Sequence, residues 1–436
     1  MILMKYMITF FTVWIKERLY NHYTSFIIKM YQALLAIIMQ FYRKGYFMLS
    51  ERIQTLSPSL TIAISSLARD LKAQGKDILS FSAGEPDFET PKAIKEEAIK
   101  AINDGFTQYT AVPGIPELLD AVSQKLKRDN GLEYAPSDII VSNGAKQSLF
   151  NLFQAVLNEG DEVIIPAPYW VTYPELVKYA GAIPVIIDTD EIGNFKITAD
   201  QLKNAISEKT KMIILTTPSN PTGSVYSKAE LEALAEVLKG TDIIVASDEM
   251  YEKLVYDIDF VAAASISEDM YQRTVTINGL SKSVAMTGWR FGYLATPNKE
   301  VIAAMNKLQS QSTSNINSIT QKAAIPALLG DVDDDIEQMR RAFRNRCDEA
   351  VKLFNEIDGL SVLKPQGAFY LFVNIKDISN DSIEFCKELL QTTGVAVVPG
   401  IGFGSEGYFR FSFATDMTNI REGIRRIEKF VRQKQS

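Results

Sequence analysis

The chain has 436 residues, 46% hydrophobic and 23% charged, with a formal net charge of −7. These are ordinary globular proportions, with length for roughly two or three domain-sized units and no basic excess for general nucleic-acid binding. The single histidine, His22, would have to serve any Ser-His-Asp or Cys-His catalytic group and any histidine-containing zinc site. It lies in a segment with no partner motif and reads as a bland residue. Chemistry in the rest of the chain therefore falls to Lys, Asp, Tyr, Arg and a cofactor. The cysteines, Cys347 and Cys386, are far apart and form no metal-ligand spacing. No metal site is expected, and a reduced, cytoplasmic location is the simpler reading.

Residues 1–47 differ from the remainder. They are rich in Phe, Tyr, Ile and Met and carry six Lys/Arg against one acidic residue, Glu17. Their longest apolar run, 33–39, is too short to span a bilayer, and no small-x-small cleavage site follows it. The functional chain is expected to start at Met48, the upstream part being a start-site artefact or dispensable tail; a membrane-associating helix is the alternative.

From there short apolar runs alternate with amphipathic stretches. Strands are expected at 139–141, 162–165, 183–187, 212–216, 243–246, 274–277 and 293–295. Several are continuous Val/Ile/Leu runs, as befits strands buried on both faces. Helices are expected between them, at 145–157, 173–179, 228–239 and 301–311. This alternation predicts a large α/β/α domain with a mainly parallel sheet. Beyond Gly330 the pattern changes to a long charged helix at 331–350, strands near 368–373, 395–398 and 408–413, and helices at 382–392 and 417–432. That predicts a smaller α+β domain. The expected organisation is an extension (1–47), an arm with part of the small domain (48–92), a large domain (93–330) and a small C-terminal domain (331–436).

The segment Asn278-Gly-Leu-Ser-Lys282-Ser-Val-Ala-Met-Thr-Gly-Trp-Arg290 holds one lysine in a loop of small and apolar residues after a strand. Desolvated there, Lys282 would lose its proton easily and attack a carbonyl, while Arg290 would clamp a phosphate. The plainer reading is a surface lysine at a strand end. The segment as a whole resembles the cofactor-lysine motif of class I pyridoxal-phosphate aminotransferases. It departs only at Phe291, where a smaller aliphatic is more usual. The resemblance runs from about Leu49 to Arg432 and is nearest the bacterial and plastid subgroup containing aspartate and aspartate/prephenate aminotransferases. It implies fold type I, pyridoxal 5'-phosphate as cofactor, and a homodimer with shared active sites.

The remaining motifs are weighed against that chemistry. Ser142-Asn-Gly144-Ala145-Lys146 follows a strand and opens a helix, a place where the Gly144, Ala145 and Lys146 amides would cradle an anion. Asp248, in Ser247-Asp-Glu-Met-Tyr251, ends a strand where α/β sheets put their sites. The resemblance makes it the carboxylate behind the cofactor ring, and Tyr251 the donor to the phenolic oxygen; the alternative is that Asp248 and Glu249 cap a helix. Asn220-Pro-Thr-Gly223 is an ordinary turn sequence, yet the resemblance gives Asn220 to the phenolic oxygen and the substrate carboxylate. Ser281 belongs to the cofactor motif. Trp170 resembles the aromatic that stacks on the ring, or is simply packing. Tyr109 resembles the residue that reaches the neighbouring subunit's phosphate. Arg410, in an apolar strand, needs an anionic partner if buried; a substrate α-carboxylate fits, with Gly84 lying against the substrate.

Lys146 and Thr61 match positions that the resemblance gives to the distal carboxylate of the substrate. This favours aspartate and glutamate, with prephenate an alternative acceptor; a solvated surface lysine is the plainer reading of Lys146. The expected reaction moves an amino group between aspartate and 2-oxoglutarate, with Lys282 forming the cofactor Schiff base and acting as general base and acid. Rivals on the same scaffold are an aromatic or neutral aminotransferase and a carbon–sulfur lyase. Gly400-Ile-Gly-Phe-Gly404 lacks the context of a dinucleotide fingerprint and reads as a turn. Asp331-Val-Asp-Asp-Asp335 has the wrong spacing for calcium and reads as a helix start.

Overall fold

The computed structural model describes residues 49–435, so His22 and the expectations for 1–47 lie outside the described residues. Residues 49–54 carry one short helix, α1 (Glu51–Gln54). Residues 55–435 belong to a separate, much larger unit that holds every other element of the described residues.

That unit runs through α2 (Leu60–Ala73), β1 (Leu79–Ser80), α3 (Lys92–Asn103), α4 (Pro116–Asn130), β2 (Ile139–Asn143), α5 (Ala145–Val156), β3 (Glu162–Ala167), α6 (Thr172–Tyr179), β4 (Ile183–Asp188) and α7 (Ala199–Ala205). It continues through β5 (Thr210–Thr216), α8 (Lys228–Leu238), β6 (Ile244–Asp248), α9 (Glu268–Arg273), β7 (Thr274–Gly279), β8 (Phe291–Ala295), α10 (Lys299–Ser310) and α11 (Ser318–Leu329). The last elements are α12 (Asp333–Asn355), β9 (Tyr370–Asn374), α13 (Ser382–Thr393), β10 (Val395–Ala396), β11 (Val398–Pro399), β12 (Tyr408–Ser412) and α14 (Met417–Gln435).

Seven strands form one sheet in the order β2-β8-β7-β6-β5-β3-β4. All neighbours are parallel except β8, which runs antiparallel to β2 and β7. Successive side chains of a strand point to opposite faces, and the cores follow that period. Ile140, Met212 and Ile214 pack with α5, α6 and α10 on one face. On the other, Ile139 and Val141 pack with α3, α4 and α11, and Ile213 and Leu215 with α7 and α8. Burial on both faces explains why these strands read as unbroken apolar runs. The result is the three-layer, mainly parallel architecture of fold type I.

Several helix starts are written locally. Ser227 and Glu230 form a reciprocal capping box at α8, as do Thr198 and Gln201 at α7. Asn298 and Asn317 cap α10 and α11 through their side-chain oxygens. The acidic run before α12 does open a helix, with three aspartates in its first turn.

Two smaller sheets are built from the chain ends: β1 paired in parallel with β10, and β11-β12-β9, which is antiparallel. They share an apolar core with α12, α13 and α14. The single strand expected at 395–398 is two strands in different sheets. The chain passes between sheets at Val397, and every residue of the run is buried, so hydropathy reads one strand. Both cysteines are free and buried. Among the described residues no helix is long and apolar enough to cross a membrane.

The two loops that matter most meet over a glycine. A Cβ on Gly292, in β8, would collide with the backbone of Gly144 and Ala145 where α5 begins. Neighbouring backbone cannot retreat as a flexible side chain would, so overpacking here costs about 1–3 kcal/mol or more. Gly292→Ala should therefore lower stability by at least about that much in a denaturant titration; an unchanged midpoint would contradict this close approach.

Candidate active site

The site gathers at the carboxyl ends of β5, β6 and β7, where the sheet delivers Asn220, Asp248 and Lys282. The Lys282 amine donates to the Gly84 carbonyl at 2.5 Å. Burial is the main influence on it and lowers its pKa from 10.5 to about 8. The Glu85 carboxylate opposes that shift, Arg410 and Arg290 add to it, and Asp248 opposes it. The segment around Gly84 straps the lysine loop along its length. Thr287 donates to Glu85 at 2.9 Å, Thr90 to the Ala285 carbonyl at 3.0 Å, and the Trp289 indole to Thr90 at 3.1 Å. Ser281 is buried beside Lys282.

Asp248 is buried at the end of β6. Its Oδ2 accepts from the Tyr173 hydroxyl at 2.6 Å, and Tyr173 in turn accepts from Thr216 at 2.8 Å. Its Oδ1 accepts only a 3.3 Å bond from the Met250 amide. Burial raises its pKa, against the Tyr173 and Met250 bonds and the Lys282 charge. A buried carboxylate so placed is stabilised by any cationic or N–H group brought to it. No helix comes next: 249–253 is a turn, so the capping alternative does not describe these carboxylates. That turn is anchored from below by Glu252, which forms a buried ion pair with Lys125 and accepts from Asn130 at 2.8 Å.

At the start of α5 the first amides have no partner within the helix. The Gly144 amide is an exception to the expected trio, because it bends back to the Ser142 carbonyl at 2.7 Å. Ala145 and Lys146 are left as the candidate donors at the helix start. Gly144 has φ +83°, and a Cβ there would sit 2.5 Å from an Arg290 guanidinium nitrogen. Arg290 itself holds φ +60°, an uncommon conformation for a non-glycine residue. Its guanidinium donates to the Thr287 and Asn143 carbonyls at 2.9 and 3.4 Å. Underneath, buried Gln309 accepts from Ser142 and Asn151 and donates to the Val112 and Val141 carbonyls, all at 2.9–3.1 Å. Every polar atom of its amide is used, which fixes the strand end that carries the loop.

A second guanidinium lies deeper. Arg410, 2% exposed, donates to Asn220 Oδ1 and to the Ser82 carbonyl, both at 2.9 Å. Its Nε is buried with no partner. It stacks over the Tyr370 ring at 4.3 Å and the Phe403 ring at 5.0 Å. The Tyr251 hydroxyl lies 3.0 Å from that of Tyr370, and a Cβ on Gly84 would meet the Tyr370 hydroxyl at 3.3 Å. The Lys146 ammonium lies over the Trp170 ring at 4.9 Å, and Trp170 packs edge-on against Tyr173.

Two of the expected residues stand apart. Tyr109 is 92% exposed on the loop between α3 and α4. Thr61 sits in the first turn of α2 with its hydroxyl buried and unpaired. Among the described residues no hydrogen bond ties either to the rest. Conversely, Tyr173, Tyr370, Ser82 and Glu85 make contacts that the sequence motifs do not signal. Tyr173 lies three residues past Trp170, and Tyr370 opens an apolar strand; neither spacing distinguishes them from core aromatics.

Chemically the arrangement offers a readily deprotonated amine, a buried carboxylate short of a cation, a guanidinium beside helix-start amides for an anion, and a buried guanidinium with an unfilled donor for a carboxylate.

The "Aminotransferase class I and II" family model matches residues 76–427. An aspartate aminotransferase of Bacillus sp. (strain YM-2) is 48% identical over 391 residues, covering 88% of this chain and 99% of that protein. An aspartate/prephenate aminotransferase of Nitrosomonas europaea is 49% identical over 392 residues, covering 87% and 98%. Among solved structures, the aspartate aminotransferase from Rhizobium meliloti superposes with a TM-score of 0.86 at 41% identity, covering 89% of this chain and 99% of that one. With its lysine, its carboxylate and its two guanidinium groups held on this scaffold, the chain belongs to the class I and II aminotransferases.

Proposed function

We propose that the chain is a pyridoxal-phosphate-dependent aspartate aminotransferase, moving an amino group between aspartate or glutamate and a 2-oxo acid, with 2-oxoglutarate the expected acceptor. The observation that carries this reading is the Lys282 amine, buried and lowered to about pKa 8 between Asp248 and two guanidinium groups. Pyridoxal phosphate supplies an aldehyde for amines and a protonated ring that draws electrons from the substrate's α-carbon.

The residues suit that group. The Ala145 and Lys146 amides and Arg290 would hold its phosphate, and the partly used carboxylate of Asp248 would keep its ring nitrogen protonated. Trp170 would stack on the ring. Tyr251 would donate to the phenolic oxygen. Asn220 turns its Oδ1 to Arg410, which leaves its amide N–H groups for that same oxygen. Arg410 would take the substrate α-carboxylate, with Gly84 leaving the room. Lys282 would accept the proton from the substrate's α-carbon and deliver it to C4′ of the cofactor; burial keeps the amine neutral enough to do so near neutral pH. The straps from Glu85 and Thr90 hold the lysine loop to the Gly84 segment.

Similarity to aspartate aminotransferases and an ammonium at Lys146 beside the site support a dicarboxylic substrate. Prephenate, which also carries two carboxylates, is the second reading, favoured by the similarity to the Nitrosomonas protein. Thr61 would join Lys146 at the distal carboxylate. The exposed Tyr109 ring supports a homodimer in which it serves the neighbouring subunit's phosphate.

Three outcomes are expected. Lys282→Ala should abolish turnover of aspartate with 2-oxoglutarate and of glutamate with prephenate; substantial remaining turnover of either would refute the assignment. In cofactor-free protein, Lys282 should react with an amine-selective reagent at a rate that rises with pH and levels off above about 8, because its neutral fraction is set by the lowered pKa; a rise continuing to the ordinary lysine range would contradict it. Lys146→Ala should weaken dicarboxylic substrates by about tenfold, as for loss of one charged hydrogen bond, while neutral amino acids change little; equal kinetics would remove the substrate argument.

A further inference from the structure

Tyr370 touches both halves of the site. In the register of β9 and β12, Arg410 faces Phe372, which makes Tyr370 its diagonal neighbour. The Arg410 guanidinium consequently rests on the Tyr370 ring, 4.3 Å from its centroid. The other end of the same side chain, its hydroxyl, lies 3.0 Å from the Tyr251 hydroxyl. Tyr370 is fully buried, so neither contact is shared with water. Its position is fixed from a third side by the backbone at Gly84, where even a methyl group would crowd the hydroxyl.

We propose that Tyr370 is a positioning residue that holds Arg410 and Tyr251 in one geometry and strengthens Tyr251 as a hydrogen-bond donor. The proposal rests on the reading that puts Tyr251 at the cofactor's phenolic oxygen and Arg410 at the substrate carboxylate. A tyrosine hydroxyl has one proton. If Tyr251 commits its proton to the phenolic oxygen, the 3.0 Å contact requires Tyr370 to be the donor and Tyr251 the acceptor. Accepting that bond polarises the Tyr251 O–H and makes it the stronger donor. The cation over the Tyr370 ring acts in the same direction by drawing electron density from that ring. Burial keeps both tyrosines protonated, their pKa values lying above the ordinary one. The charged groups facing the pair are Arg410 from β12 and Asp248 from β6; the neighbouring amine, Lys282, is itself influenced by Glu85 and Arg290.

The test is a spectrophotometric pH titration of the cofactor-loaded protein, following its visible absorption band, together with the affinity for maleate as a dicarboxylate probe. Tyr370→Phe keeps the ring under Arg410 and removes only the hydroxyl. It should move the titration midpoint upward by about half a unit, because a weaker Tyr251 donor stabilises the phenolate less, while the maleate Kd changes by less than about twofold. Tyr370→Leu removes the ring as well and should both raise the midpoint and weaken maleate by about two- to tenfold. Tyr251→Phe is the reference and should raise the midpoint by more than Tyr370→Phe does. If Tyr251→Phe moves the midpoint and Tyr370→Phe leaves it within about 0.1 unit, the role of Tyr370 is overturned and the site assignment stands. If Tyr251→Phe itself leaves the midpoint in place, the assignment of Tyr251 fails and the proposal fails with it.

Discussion

An amine and a carboxylate that the fold has taken out of water set the terms for everything near them. Lys282, once buried, loses its proton near pH 8, against 10.5 in water. Asp248, likewise buried, has a pKa above the ordinary value, with two hydrogen bonds and the Lys282 charge to offset it in part. Each burial is a standing demand for a partner, and the partners demanded differ: a carbonyl for the amine, a protonated ring nitrogen for the carboxylate. In the proposed reading one molecule would meet both demands, with its phosphate held where α5 begins.

Holding those groups depends on backbone meeting backbone. Gly292 and Gly144 let β8, the Arg290 loop and the start of α5 come within reach of one another. Gln309 braces the same strand end from beneath, and the Lys125–Glu252 pair braces the turn after Asp248. Removing one member of a buried pair such as this leaves an uncompensated charge, so these supports matter to the site without touching it.

How much of this was legible in the sequence varied with the kind of signal. The seven-stranded sheet was, because strands buried on both faces are unbroken apolar runs between turn residues. The short helix α7 was harder to see, since its seven residues hold only one buried apolar side chain of any size, Leu202. The split at Val397 was invisible, because hydropathy does not register a change of sheet. Lys282, Arg290, Asp248, Asn220 and Arg410 were singled out through the local motifs around them and the family resemblance those motifs carry. Tyr370 and Tyr173 were not, since their roles arise from strand register and from a helix packed across the sheet. The Gly144 amide was expected in the anion cradle from its place before a helix, yet it donates to the Ser142 carbonyl.

The central claim is that Lys282 is the amine to which the cofactor aldehyde becomes attached. The most direct measurement is borohydride reduction of the pure protein after incubation with pyridoxal phosphate, followed by peptide mass spectrometry. The account predicts one stoichiometric adduct, on the peptide carrying residue 282. No adduct there, or an adduct spread over surface lysines, would contradict it.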